Sequence, residues 1–336
     1  MKKFVALLIS IVTVFTLAAC SKKNNSEIDW TKTSLKSSYT IGAVEGAPTL
    51  SLVNVADGGF TYTDNDKSVT TDVTVAADAT AVVANLINGT YDMAILPINN
   101  AAEIYDNSGK HEFRLATVNV FGVLYMIGKE DIDENMNNLK GEVVYCVGFG
   151  GTPGLVLKHL LEKNGISYEV GDNATDKDKV YIYPVAGGPE VIQGLNGGAT
   201  KFAVLGEPAV TQVSGKTGAS VVLDFKKEWQ KFHGANSTFT QAGLVVNVNK
   251  VNKKYVEALV GHLKDNKAYL YANTDKIPAK LTSMGSTGPI SKLTYNETIL
   301  DRCSSDCKTA TSMRANIEAF LAANNVGIPG GSFYCL

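Results

Sequence analysis

A strand-like run that closes on Gly-x-Pro and continues as a helix occurs twice in this chain, and that repetition is the strongest constraint on its fold. Residues 39–44 are apolar and lead into Gly46-Ala47-Pro48-Thr49; Val143–Val147 leads into Gly151-Thr152-Pro153-Gly154, at an offset of 105. Behind these openings, Leu86, Gly89, Ala94 and Leu96 match Leu195, Gly198, Ala203 and Leu205 at a constant offset of 109. The order strand, Gly-x-Pro, helix, strand, helix, Gly, strand is thus written out twice, which predicts two similar lobes.

The stretches between carry α/β patterning. Residues 72–75 read as a strand and Asp78 as an N-cap; Val82, Val83, Leu86 and Ile87 then form one helical face closed by Gly89. "DMAIL" (92–96) is the next strand, ended by Pro97. In the second half "KVYIYPV" (179–185) is a strand, Pro189 fits a first helical turn, and Val191, Ile192 and Leu195 make the apolar face. "KFAVL" (201–205) follows and stops at Gly206-Glu207-Pro208. Such alternation argues for parallel-rich α/β sheets. Two apolar strands, "FGVLYMIGK" (121–129) and "AGLVVNVNK" (242–250), bracket the second half. They predict a discontinuous lobe 1 of 39–128 with 243–336, and a lobe 2 of 129–242. The C-terminal ninety residues read mainly as helix, over 251–273 and over 309–324 with Met313, Ile317, Phe320 and Leu321 on one face.

In open α/β sheets ligands sit beyond the carboxyl ends of the strands, where helix N-termini offer unpaired N–H groups. Glycine permits close backbone approach. The candidate ligand-binding residues are therefore Gly46, Ala47, Pro48 and Thr49 with Asn99 and Asn100 in lobe 1. In lobe 2 they are Gly150, Gly151, Thr152, Gly187 and Gly188, with Glu207 as the one carboxylate at a cleft strand end. Glu207 has a second reading, as a helix N-terminal carboxylate beside Pro208. Phe149, Trp229 and Phe232 are either ring-stacking or core residues. Only three of the 31 basic residues are arginines (Arg114, Arg302 and Arg314), and none is expected near the cleft loops. A guanidinium clamp on a phosphate or phosphonate is therefore not expected. A neutral, zwitterionic or singly anionic solute is.

The N-terminus adds a location. Met1-Lys2-Lys3 precedes an almost unbroken apolar run over 4–17 that suits a signal-peptide core and is short for a bilayer span. It ends in Leu17-Ala18-Ala19-Cys20, which resembles the bacterial lipobox. The resemblance implies that 1–19 are removed and that Cys20 carries lipid. Residues 20–38, rich in Ser, Lys and Asn, read as a tether. Without 1–19, which hold Lys2 and Lys3, 29 basic residues face 33 acidic ones, a net of −4, so nothing suggests nucleic acid. Cys146 reads as a core residue. Cys303 and Cys307, if on one helical turn, lie within disulfide reach, but with Cys335 also present the pairing is not readable.

The whole chain past the tether resembles the substrate-binding lipoproteins of ABC importers, of the nitrate/taurine/thiamine-precursor type. The residues carrying this are Gly46-Ala47-Pro48-Thr49, "NGTYDMAILPINNAAEIY" (88–105), "LKGEVVYCVGFGGTPGLVLKHLLEKNG" (139–165) and "AVLGEPA" (203–209). Gly206 stands where such proteins often have an aromatic residue before Glu-Pro. The resemblance implies an α/β, two-lobed periplasmic-binding-protein-like fold of type II with a ligand cleft between the lobes. It also implies an extracytoplasmic, lipid-anchored monomer that delivers a small solute to a permease and its ATPase, with no enzymatic activity, cofactor or metal. The alternative is an anchored enzyme or sensor on the same fold. The four histidines show no HExxH spacing, there is no G-x-S-x-G elbow, and "GFGGTPG" (148–154) is not a GxGxxG loop. Glu207 alone is placed as a metal ligand would be, so a zinc or manganese site is not expected.

Overall fold

The computed structural model describes residues 28–76 and 78–336. The signal peptide expected over 1–19, the lipidation expected at Cys20 and the first part of the expected tether lie outside the described residues. The first stretch runs β1 (Ser38–Val44), α1 (Ala47–Leu50), β2 (Tyr62–Asp64), β3 (Lys67–Ala76), α2 (Ala79–Asn88), β4 (Met93–Pro97), α3 (Ile98–Asn107) and β5 (Phe113–Phe121). The second runs β6 (Leu124–Gly128), β7 (Val143–Val147), α4 (Thr152–Lys163), β8 (Ser167–Val170), β9 (Lys179–Val185) and α5 (Gly188–Gly197). It continues through β10 (Phe202–Gly206), α6 (Ala209–Thr217), β11 (Ser220–Asp224) and α7 (Phe225–His233). The chain returns by β12 (Thr240–Asn247) to α8 (Lys253–Leu263), α9 (Asn266–Ala272), α10 (Ile277–Ser283), α11 (Glu297–Cys303), β13 (Ser305–Thr309) and α12 (Arg314–Ala323).

Two sheets result, ordered β13-β5-β12-β4-β1-β3-β2 and β11-β6-β10-β7-β9-β8. Each contains a parallel trio, β3–β1–β4 in one and β9–β7–β10 in the other. Beside each trio lies one antiparallel strand, β12 against β4 and β6 against β10. A further strand closes on it, β5 on β12 and β11 on β6. In both sheets the antiparallel strand is the first one laid down after the chain arrives from the other lobe.

The offset of 109 has a physical meaning. Gly89 and Gly198 are the left-handed residues after α2 and α5, at φ 87° and 74°, the conformation that lets a helix end without a Cβ clash. Side chains alternate across a strand. Ala94 and Leu96 accordingly face one core with Leu86, whereas Met93 and Ile95 face another. In the second sheet Ala203 and Leu205 pack with Leu195, opposite Phe202 and Val204. Asp78 caps α2, its carboxylate accepting from Ala81 N at 2.9 Å.

Several expectations are corrected. The run 121–129 is two strands in different sheets: Phe121 ends β5, Gly122 turns at φ 60°, and Leu124 begins β6. Residues 124–128, expected at the end of the first segment of lobe 1, pair with β10 and β11 in the second sheet. The helix expected over 251–273 breaks at 264–265 into α8 and α9. That expected over 309–324 begins only at Arg314, because Thr309 pairs with Thr117 of β5 as part of β13. The first Gly-x-Pro opens a helix of one turn. All four cysteines of the described residues are free. Cys303 ends α11, Ser304 turns left-handed at φ 41°, and Cys307 lies on β13, so the two do not share a helical turn.

Where α4, α7 and α12 meet, His159 and His233 face each other with their Nε2 atoms 2.8 Å apart. Trp229 stacks on His233 at 4.0 Å between centroids, and Phe320 lies 6.3 Å from Trp229. Two nitrogens this close share one proton, so one ring donates and the other accepts. Burial pushes both imidazoles below the ordinary histidine range, while His159 also bonds the Ala323 backbone, with Lys163 and Glu162 as its charged neighbours. The unfolded chain thus binds more protons once pH falls below about 6.5. The pair's contribution to stability is fully present above that pH and is lost as pH drops through it. The melting temperature is expected to fall between about pH 7 and 5, and to fall less in His233→Gln, where one titrating partner is removed. Parallel melting curves across that range check this, and identical slopes in the two proteins would refute it.

Candidate functional site

The predicted loops follow the C-terminal ends of β1, β4, β7, β9 and β10, so the topology brings segments of both lobes to facing edges. Gly46 caps α1 at φ 125°, a conformation reserved for glycine, and its carbonyl accepts from Thr49 N and Leu50 N. Ala47 and Thr49 are buried and Pro48 is half-buried. The Thr49 hydroxyl is spent within its own lobe, donating to Val44 O at 2.7 Å. Gly151 caps α4 with extended backbone, and an added Cβ would meet nothing closer than Gly148 O at 3.6 Å. Gly150 is exposed.

The chain holds a third Gly-x-Pro opening, Gly187-Gly188-Pro189, which begins α5. Pro189, expected in a first helical turn, stands there and makes this opening a repeat of the motif. In α1, α4 and α5 the proline stands at the second helical position, where its missing N–H leaves no intrahelical partner short.

On the cleft side, polar contacts between the lobes run through two groups of residues. Thr152, buried at the start of α4, places its hydroxyl 3.4 Å from Asn99 Oδ1 and 3.5 Å from Gln241 O. Both distances are long for O–H···O, so this is a loose contact. Asn100 is half-buried beside it. The second group centres on Glu207, whose carboxylate is wholly buried. It accepts from Thr211 N at 3.1 Å and Thr211 Oγ1 at 3.0 Å. Arg302, on α11 of the other lobe, brings Nε to 2.9 Å from Glu207 Oε1 and donates from Nη2 to Thr211 Oγ1 at 2.9 Å. The Nε–H does not point along its line to the carboxylate, so that contact is an ion pair without a linear hydrogen bond. Tyr125 Oη donates to Arg302 O at 3.1 Å. Burial raises the Glu207 carboxyl, opposed by the Thr211 N–H and the Arg302 guanidinium.

The helix N-terminal reading of Glu207 is the one observed, since it binds the first turn of α6, and it also pairs with Arg302 of the other lobe. The expectation that no arginine reaches the cleft is overturned by Arg302. Nothing local in the sequence points to it, because it meets Glu207 only through packing of α11 on the first sheet, where Ile299, Leu300 and Cys303 are buried. Among the aromatics, Trp229 is core, Phe232 is 39% exposed, and Phe149 lies under Lys158 Nζ at 5.0 Å.

Next to Glu207, a cavity of about 440 Å³ opens between the lobes. Thr211, Gln212 and Lys216 of α6 line one wall; Thr287, Gly288 and Lys292 line the other. Two predicted loops adjoin it. Gly188 packs against Gln212, and the Glu45 carboxylate, beside Gly46, lies against Gly288 while accepting from Ser286 Oγ at 2.9 Å. Among the described residues no group of three His, Cys, Asp or Glu side chains is placed to hold a metal ion.

Removing Arg302 leaves a buried carboxylate with only Thr211 to satisfy it. Arg302→Met is expected to destabilise the protein by about 2–3 kcal/mol near pH 7.5, below the loss for a fully buried pair because the arginine is partly exposed. The loss should shrink toward pH 5, since an unpaired carboxyl with a raised pKa takes up a proton. Denaturant melts at both pH values measure this, and an equal loss at each would contradict it.

No protein-family model matches the sequence, and no curated protein matches it significantly. Among solved structures the chain is similar to an ABC transporter from Parabacteroides distasonis, with a TM-score of 0.69 and 19% identity over 90% of this chain and 99% of that one. It is similar to the periplasmic nitrate-binding protein NrtA from Synechocystis at a TM-score of 0.62 and 14% identity, covering 87% and 82%. It is likewise similar to the periplasmic aliphatic sulphonate binding protein SsuA from Escherichia coli, at 0.59 and 13%, covering 87% and 89%. The likeness spans both lobes of each. The chain has the two-lobed periplasmic-binding-protein-like α/β fold of type II.

Proposed function

We propose that this chain is the solute-binding component of an ABC importer, held at the extracytoplasmic face of the cell membrane by lipid on Cys20. The observation that carries the reading is the opening between the lobes. Segments of both sheets meet there in the Thr152–Asn99 and Glu207–Arg302 contacts, and beside the second of these lies a cavity of about 440 Å³ lined by residues of α6 and of 287–293. That size falls in the roughly 300–1,000 Å³ range of organic-ligand sites. Fold likeness to nitrate- and sulphonate-binding proteins supports the same reading. In it, the protein binds as a monomer a small neutral, zwitterionic or singly anionic compound, such as a sulfonate or a thiamine-precursor-like molecule. It then closes by rotation about its two crossings and presents the closed form to a permease with its ATPase.

Lobe 1 comprises the segments up to β5 and from β12 onward, and lobe 2 those from β6 to α7. The ligand-binding role is assigned to Gly46, Ala47, Pro48, Thr49, Asn99 and Asn100 on one side. On the other it is assigned to Gly150, Gly151, Thr152, Gly187, Gly188 and Glu207.

Gly151 gives the cleaner test of the two motif glycines, since its backbone is extended and its Cβ position is open, whereas a side chain at Gly46 strains the turn. Small molecules released from protein purified in mild detergent are identified by mass spectrometry and titrated back calorimetrically. Gly151→Val is expected to block close approach and cut affinity at least tenfold, with the unliganded melting temperature nearly unchanged. Thr152→Val should cost roughly 0.5–1.5 kcal/mol of binding, the worth of one neutral hydrogen bond. Wild-type affinity in Gly151→Val would remove the α4 opening from the site.

A further inference from the structure

The interlobe cavity carries a charge pattern that the Gly-x-Pro loops do not explain. Lys216, in the last turn of α6, and Lys292, after Gly288, line the same space from opposite lobes. Neither makes an ion pair with a carboxylate among the described residues, although twelve such pairs occur elsewhere in the fold. No carboxylate and no aromatic ring lines the cavity; its remaining groups are the Thr211 and Thr287 hydroxyls, the Gln212 amide, two glycines and Leu293. The nearby acids are already engaged, Glu207 by Thr211 and Arg302 and Glu45 by Ser286.

We propose that Lys216 and Lys292 read the acidic group of an aliphatic organic acid held between the lobes; this rests on the solute-binding reading and moves its ligand class to acids, dianions included. An ammonium is a compact point charge that accepts a carboxylate, a sulfonate or a phosphate monoester without demanding one geometry. The Thr287 hydroxyl and the Gln212 amide supply further hydrogen bonds to the oxyanion or to polar groups along the tail, the Thr211 hydroxyl being engaged by Glu207 and Arg302. A bare inorganic ion would leave most of the volume unfilled, and a planar heterocycle finds no ring to stack on.

The placement also couples charge to motion. With the cavity empty, two like charges face each other across the lobe boundary and oppose closure. An anion between them reverses the sign of that interaction, so binding and closing draw on the same electrostatic energy. Because both lysines are solvent-exposed, the effect is screened by salt.

The test uses the full chain purified in a non-ionic detergent and titrated calorimetrically with butanesulfonate, succinate and glycerol 3-phosphate, with nitrate and butane-1,4-diol as size and charge controls. At least one of the three acids is expected to bind, more tightly than either control and less tightly as salt is raised. Lys216→Ala and Lys292→Ala should each weaken that binding about tenfold, the worth of a charge-assisted contact. The double variant should lose the salt dependence, and unliganded melting curves should be unchanged. The inference is overturned if none of the three acids binds, or if the double variant binds them as wild type does. A neutral or cationic solute that co-purifies and binds equally well to the double variant would overturn it while leaving the solute-binding reading standing. Failure of the acids together with the absence of any co-purifying solute would count against both.

Discussion

Each sheet is completed by a strand delivered from the other lobe, and the rest of the structure depends on that exchange. β12 is hydrogen-bonded on both sides, to β4 and to β5, and β6 likewise to β10 and to β11. Neither can be withdrawn without splitting a sheet and leaving unpaired backbone groups in a core. The first crossing is made in two residues, Gly122 and Val123, between β5 and β6. Such a tie fixes the line along which the lobes meet and leaves rotation about it as the available motion. It also brings the first turn of α4 to the first turn of α3, where Thr152 meets Asn99.

The two sides of the lobe junction are held by different physics. Around α7 and α12 the contact is apolar: Trp229, Phe239 and Phe320 belong to one buried cluster that runs from the first sheet into the second. Packing of that kind stays closed in water. On the cleft side the contacts are polar, namely the loose Thr152–Asn99 contact and the Glu207–Arg302–Thr211 group. A buried ion pair returns little net stability once the desolvation of both ions is counted. In the proposed closing motion this polar face is the one that parts, while the apolar face holds.

Much of this was legible in the sequence, for a reason visible in particular residues. Gly89 and Gly198 mark left-handed helix ends, and Ala94, Leu96, Ala203 and Leu205 mark equivalent strand faces, so the offset of 109 recorded a real duplication. Asp78 and Pro189 were read as helix starts and stand at helix starts. What escaped was decided by partners distant in sequence. Residues 121–129 look like one strand because every position before Lys129 is apolar or glycine; only pairing with β10 and β11 reveals two. Thr309 joins β13 because β5 offers it an edge, and Arg302 reaches Glu207 because α11 packs where it does. Lys216 and Lys292 look like ordinary surface lysines until the fold sets them around one space.

The central claim is that the lobes move as bodies about these crossings when a solute enters between them. Spin labels on two exposed positions, introduced as Thr63→Cys on β2 and Asn173→Cys after β8, report the distance between the outer parts of the two sheets. With the co-purifying solute stripped away, the account predicts a broad distribution of distances. Restoring the solute should collapse it to a narrower one at a shifted mean, with no loss of secondary structure. A distribution that is the same with and without solute would contradict the account, because two lobes that do not move cannot be a cleft that closes.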